Sequence, residues 1–166
     1  MNARAPEGAD HSARRVSRFS AVQALYQMEL AGADAETVLR EFLDFRFGRE
    51  PEEYREPDRD FFGDLVRGVP HHQAEIDRAI AKCLADGWRL SRLDSILRAI
   101  LRLATYELVA RRDVPAKVVI DEYMEIAHAF FDKDEPGFVN AALDKIAHRK
   151  RASEFGEVTP DDELQF

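Results

Sequence analysis

Three guanidinium groups, on Arg14, Arg15 and Arg18, crowd the segment HSARRVSRFSAVQALYQMEL (residues 11–30), with no acid between His11 and Met28. Arginine forks pair with phosphate oxygens through parallel N–H···O bonds, so such a cluster is suited to a phosphate backbone. The apolar spacing predicts a helix opening here, with Ser12 as its N-cap. A helix N-terminus is partially positive, so arginines at it are mildly unfavourable. Bound phosphates, which also use the exposed N–H groups of a helix end, would offset that cost. Arg14 and Arg18 fall one turn apart on one side, with Arg15 on a neighbouring side. Solvation accounts for any one of them; three together without acids form a candidate RNA contact.

Phe138 opens the last predicted helix, after Pro136 and Gly137. It sits at the edge of the stripe Val139, Ala142, Leu143 and Ile146, a place for a core-margin residue or for a stacking platform under an unpaired base. Glu107 lies on an apolar stripe between Leu103 and Leu108, where an ionised carboxylate needs partners. It is therefore expected to be buried and bonded to a backbone group or to Lys117. The basic run HRKR at 148–151 suits a helix C-terminus and needs no functional explanation.

Catalytic and metal-binding patterns are weak. Glu125 and His128 have the Glu-x-x-His spacing of di-iron bundles, but such sites use two copies and point inward. On a helical wheel Asp121, Glu122, Glu125 and His128 lie opposite Val119, Tyr123, Ile126 and Phe130, as a solvated face would. His71 and His72 are adjacent and diverge on a helix. Cys83 has no zinc-type neighbours, and no phosphate-cradling glycine loop or nucleophile elbow is present. Nothing supports an enzyme, a metal or a cofactor.

The elements that must position these residues are helical. The chain has 166 residues, 45% apolar and 34% charged, with a net charge of −8. That length suits one domain or two small subdomains, and the acidic total argues against indiscriminate nucleic-acid binding while permitting a local basic site. The single cysteine excludes an internal disulfide, as in a reducing cytosol. With neither a membrane-length apolar run nor a signal-peptide pattern, a cytoplasmic protein that does not contact membranes is expected.

Residues 1–11 read as a disordered arm. Helix 1 is expected over about 13–31, a second from Asp34 to Phe47, and a third from Asp58. Gly68 and Pro70 are expected to kink or break the third. GREPEEYREP (48–57) is a charged loop, and Gly87 marks the best internal boundary. Beyond it come the clearest helix (Leu93 to Leu108), a helix after Pro115 and a last helix to about 150. The expected fold is all-α, with six or seven helices. The expected division is an N-terminal subdomain (12–86), a C-terminal subdomain (87–150) and a loose acidic tail (151–166).

Four separated motifs resemble one family. AVQALYQMEL after an arginine cluster, ILRLATYEL, DVPAKVVIDEYMEIA and FVNAALDKIA are similar to NusB, the transcription antitermination factor, in order and spacing from about Ala13 to Arg149. The resemblance implies two three-helix subdomains and no catalysis. It implies binding to boxA-type single-stranded RNA jointly with the ribosomal small-subunit protein NusE, and read-through of ribosomal RNA operons by an RNA polymerase elongation complex containing NusA and NusG. Arg14, Arg15 and Arg18 match the family's arginine-rich RNA segment. Phe138 matches a phenylalanine at the RNA surface and Asp134 an acidic position beside it, although an acid ahead of a helix is also a local capping choice. Tyr26 matches a tyrosine near the NusE interface, whereas the helical wheel puts it on the apolar stripe.

Val16 interrupts what is often a denser basic run, which predicts weak RNA affinity without the partner. The 48–57 insertion and the acidic tail depart from the family pattern. Family members occur as monomers or dimers, so a homodimer stays open. The rival reading is a helical adaptor that binds only protein.

Overall fold

The computed structural model describes residues 7–47 and 56–157, and side chains from Ser12 onward. These residues form seven α-helices and no strand: α1 (Glu7–Ala31), α2 (Ala35–Glu41), α3 (Arg59–His71), α4 (Gln73–Cys83), α5 (Ser95–Ala110), α6 (Ala116–Phe130) and α7 (Glu135–Lys150). They belong to two compact units, 1–67 and 68–166. The expected all-α fold is what the chain adopts.

In the first unit, α1 packs on α2. Asp34 caps α2 by accepting from the Thr37 amide at 2.8 Å. The helix then widens into a π-helical turn over Phe42–Arg46, which carries the apolar pattern on towards Phe47. Phe42, Phe47 and Phe62 form an aromatic cluster, with Phe47 edge-on to Phe62 at 5.0 Å. Asp58 caps α3 through the Phe61 amide at 3.0 Å, and Phe61, Phe62, Leu65 and Val66 are buried.

Two expectations at helix ends are corrected. The first helix begins by Glu7 rather than at Ser12, so part of the expected arm is helical; residues 1–6 lie outside the described residues. The third helix neither breaks nor ends at Gly68, but runs through Pro70 to His71. A proline this near a C-terminus disrupts little beyond the last turn. Gly68 is required by close approach: a Cβ there would stand 2.2 Å from Tyr106 Cζ.

In the second unit α5 is the central helix, packing on α4, α6 and α7. Its residues Ile100, Leu103, Ala104 and Leu108 are fully buried, as the stripe predicted, and so is Leu101 beside them. Asp94 caps it through Ile96 (2.9 Å) and Leu97 (3.4 Å), after a short 3-10 turn over Leu90–Arg92. Arg102 makes a two-pronged bond to Asp77 of α4, at 2.9 and 3.0 Å. The helix α4, which the sequence assigned with residues 12–86, thus packs within the second unit. Gly87, with φ 88°, turns the chain inside this unit instead of dividing two.

The residues after α7 depart from a loose tail as far as they are described. Arg151 is 3% exposed and donates to the carbonyls of Leu108 (2.6 Å), Val114 (3.0 Å), Arg111 (3.0 Å) and Glu107 (3.3 Å). It thereby adds a side-chain donor to carbonyls at and just beyond the C-terminal end of α5, where that of Glu107 also accepts from the Arg111 amide at 2.9 Å and that of Arg111 from the Val114 amide at 3.1 Å. Glu154 accepts from Arg151 at 2.7 Å and from the Ala116 amide at 3.0 Å, and Phe155 stacks on His148 at 4.0 Å. So the last member of the HRKR run is a structural clasp, and only 158–166 of the expected tail lie outside the described residues.

Candidate nucleic-acid interface

The arginine cluster belongs to the first unit. Because α1 starts by Glu7, Arg14, Arg15 and Arg18 stand beyond its first turn, where the helix-end potential has faded. The supposed conflict with the helix dipole is therefore absent. An acid distant in sequence also answers the charge of Arg14: its Nε lies 3.7 Å from Asp58 Oδ2. Ser17 Oγ donates to the Asp58 carbonyl at 2.7 Å and the Asp58 amide to the Ala13 carbonyl at 3.2 Å, which fix the start of α3 against α1.

The three arginines have different environments. Arg18 is 2% exposed, with its guanidinium carbon 5.0 Å from the Phe61 ring centroid. Arg14 lies over the same ring at 4.7 Å with its side chain 28% exposed. Arg15 is exposed. Burial thus takes Arg18 from the surface, and Arg15 with the edge of Arg14 remains there. A cation over an aromatic face offsets part of its desolvation.

Tyr26, which the wheel puts on the apolar stripe of α1, is 38% exposed. On the same face of α1 stand Phe19 at 37% and Leu30 at 74%. The spacing 19, 26, 30 makes one helical stripe, apolar and open to solvent.

The other two candidates belong to the second unit. Asp134 is exposed and precedes α7. Its carbonyl accepts from the Phe138 amide at 3.1 Å, while its side chain makes no capping bond. Phe138 is half-buried, in the first turn of α7 rather than at its first residue, because the helix begins at Glu135. Its ring centroid lies 5.1 Å from that of Trp88, with the planes at 44°. Sequence reasoning missed Trp88; its only signal was a lone tryptophan next to a turn glycine, outside any apolar period.

Glu125 and His128 are exposed on α6, whereas Glu122 is buried, against the helical wheel. The reason is that α6 packs on both α5 and α7, so its buried arc is wider than one stripe. Glu107 is fully buried and engaged, as its position predicted. Among the described residues no helix is long and apolar enough to cross a membrane.

Comparisons with known proteins show the family and the fold. The NusB family model matches residues 15–148. The transcription antitermination protein NusB of Maricaulis maris is 56% identical over 144 residues, covering 86% of this chain and 90% of that protein. NusB of Caulobacter vibrioides is 54% identical over 140 residues, covering 83% and 94%. Of solved structures, T. maritima NusB superposes with a TM-score of 0.73 at 34% identity, over 86% of this chain and 96% of that one. A structure of the antitermination factors NusB and NusE in complex with dsRNA shares the fold, with a TM-score of 0.68 at 24% identity over 81% and 96%. The chain belongs to the NusB family of transcription antitermination proteins, a non-enzymatic family.

Proposed function

We propose that this protein binds boxA-type single-stranded RNA jointly with NusE, and that the complex joins NusA, NusG and RNA polymerase in the cytoplasm to promote read-through of ribosomal RNA operons. The observation that carries this reading is the surface placement of Arg15 beside a partly exposed Arg14, on a chain whose family acts in antitermination. A solved structure of the same fold holds NusB and NusE in complex with dsRNA, which supports NusE and an RNA as the partners here. Arg14 and Arg15 contact phosphates, Phe138 stacks on a base, and Asp134 lies beside it. Arg18 supports Phe61 and the α1 scaffold.

The apolar stripe Phe19, Tyr26 and Leu30 is the NusE-facing surface in this reading. Exposed contiguous apolar side chains mark protein contacts more often than they arise at random.

The test is fluorescence anisotropy of a labelled boxA-type RNA, with and without NusE, over a salt series. With two phosphate contacts on a single strand, R14A/R15A should flatten the log–log salt slope by about 1.4. An unchanged slope and affinity would remove α1 from the RNA site. RNA binding absent in every condition, with NusE binding intact, would instead establish a protein-only adaptor. L30D should weaken NusE capture and leave RNA-independent folding intact. Sedimentation at rising concentration would reveal whether the same stripe instead closes a homodimer.

A further inference from the structure

We propose that Trp88 is a second aromatic member of the RNA site, forming with Phe138 a two-ring platform for one unpaired base. The inference rests on the single-strand RNA reading above and extends it to a residue that reading does not use. Trp88 is 56% exposed, which is unusual for the residue with the most apolar surface to gain from burial. Its indole nevertheless has a defined neighbour, the Phe138 ring at 5.1 Å. With more than half its surface open, it retains room for a stacking partner.

The segment bearing Trp88 is braced from several directions. The Trp88 amide donates to the Ala85 carbonyl at 3.1 Å, next to the left-handed Gly87. Arg92 and Leu93 close a 3-10 turn through the carbonyls of Arg89 (3.0 Å) and Leu90 (3.2 Å). Below it the buried Arg98 donates to the carbonyls of Leu90 (3.2 Å) and Leu93 (2.7 Å). The indole therefore rides on a loop held in place before any ligand arrives, which reduces the ordering cost of binding.

The surrounding charge favours a nucleotide over an apolar peptide. Arg89, Ser91 and Arg92 are all exposed on the same short segment. An aromatic ring flanked by guanidinium and hydroxyl donors suits a base with its phosphates; sequence-tolerant stacking beside a basic track is how single strands are bound. An apolar peptide would gain little from the two arginines.

Trp88 is the single tryptophan of the chain, so its fluorescence reports on this position alone. The full chain would be titrated with an unlabelled boxA-type RNA while Trp88 emission is followed. In parallel, labelled RNA would be titrated with wild type, W88A, W88F and F138A, with and without NusE. Quenching of Trp88 by RNA is expected, together with about tenfold weaker RNA binding by W88A, near-normal binding by W88F and an unchanged salt slope in both. Rescue by W88F separates stacking from misfolding.

RNA binding with unaltered Trp88 emission and equal affinity of W88A would overturn the platform and leave the RNA reading standing. Loss of NusE capture by W88A without any RNA effect would reassign the surface to a protein contact. Failure of wild type to bind RNA at all would overturn both readings together.

Discussion

The Nε of Arg14 lies 3.7 Å from Oδ2 of Asp58, and Oδ1 of the same carboxylate accepts from the Phe61 amide at 3.0 Å. One side chain thus caps α3 and offers a countercharge to the arginine cluster of α1. The two roles separate by substitution. In D58N the capping oxygen survives and the charge is lost, so unfolding free energy should stay within about 0.5 kcal/mol of wild type, because the ion pair is partly exposed. In D58A the cap is lost too, at about 1 kcal/mol. Urea denaturation measures both. Equal losses in the two variants would show that the ion pair dominates. RNA binding at low salt should tighten in D58N, since Arg14 no longer shares its charge with an acid.

Gly68 and Tyr106 approach too closely for any other residue at position 68. In G68A the new methyl would meet Tyr106 Cζ at 2.2 Å, Oη at 2.4 Å and Cε2 at 2.5 Å, so the ring must move. A loss of about 1–3 kcal/mol is expected, as for an overpacked core. Combining it with Y106L should recover part of that loss, a positive coupling that a double-mutant cycle reads directly. Strict additivity of the two substitutions would rule out the steric account.

What the sequence made legible was local. The apolar stripe of α5 and the caps Asp34 and Asp58 depend on residues within a few positions of one another, and the structure bears them out. The start of α1 was missed because Ser12 has capping chemistry wherever it occurs, and nothing local told of a helix already running from Glu7. Burial of Arg18 depends on Phe61, and that of Glu122 on a helix packed from two sides. At the candidate site, Arg15 and Phe138 stand at or near the surface as the patterns suggested. Trp88 was invisible because its partner, Phe138, lies two helices away in the chain.

Arg151 is the residue whose loss should damage the second unit most. Its guanidinium serves four carbonyls and Glu154 from a position 3% exposed. Truncation in R151A removes a donor from each of the four carbonyls, of which Glu107 and Arg111 keep a backbone partner, and takes the Arg151 cation from Glu154. A loss of about 3–5 kcal/mol is expected. Lysine, lacking the planar fork, should recover only a part in R151K. Thermal or chemical unfolding that left R151A near wild type would mean that water replaces the clasp.

Glu154 should make stability depend on pH in the acid range. Burial pushes its carboxyl pKa up, but bonds from the Ala116 amide and from Arg151 outweigh this and hold it below the usual glutamate value. The folded state therefore favours the ionised form more than the unfolded chain does. By linkage, the stabilisation is fully present above the unfolded glutamate pKa of about 4.3 and is lost as pH falls through the lowered folded value. E154Q keeps a carbonyl that can accept from Ala116 but carries no charge for Arg151. At neutral pH it should be less stable than wild type, and the gap should close as wild type is acidified towards pH 3. Denaturation curves at intervals from pH 7 to 3 measure this gap. Two profiles that ran parallel throughout would mean that Glu154 does not titrate differently in the folded and unfolded chains.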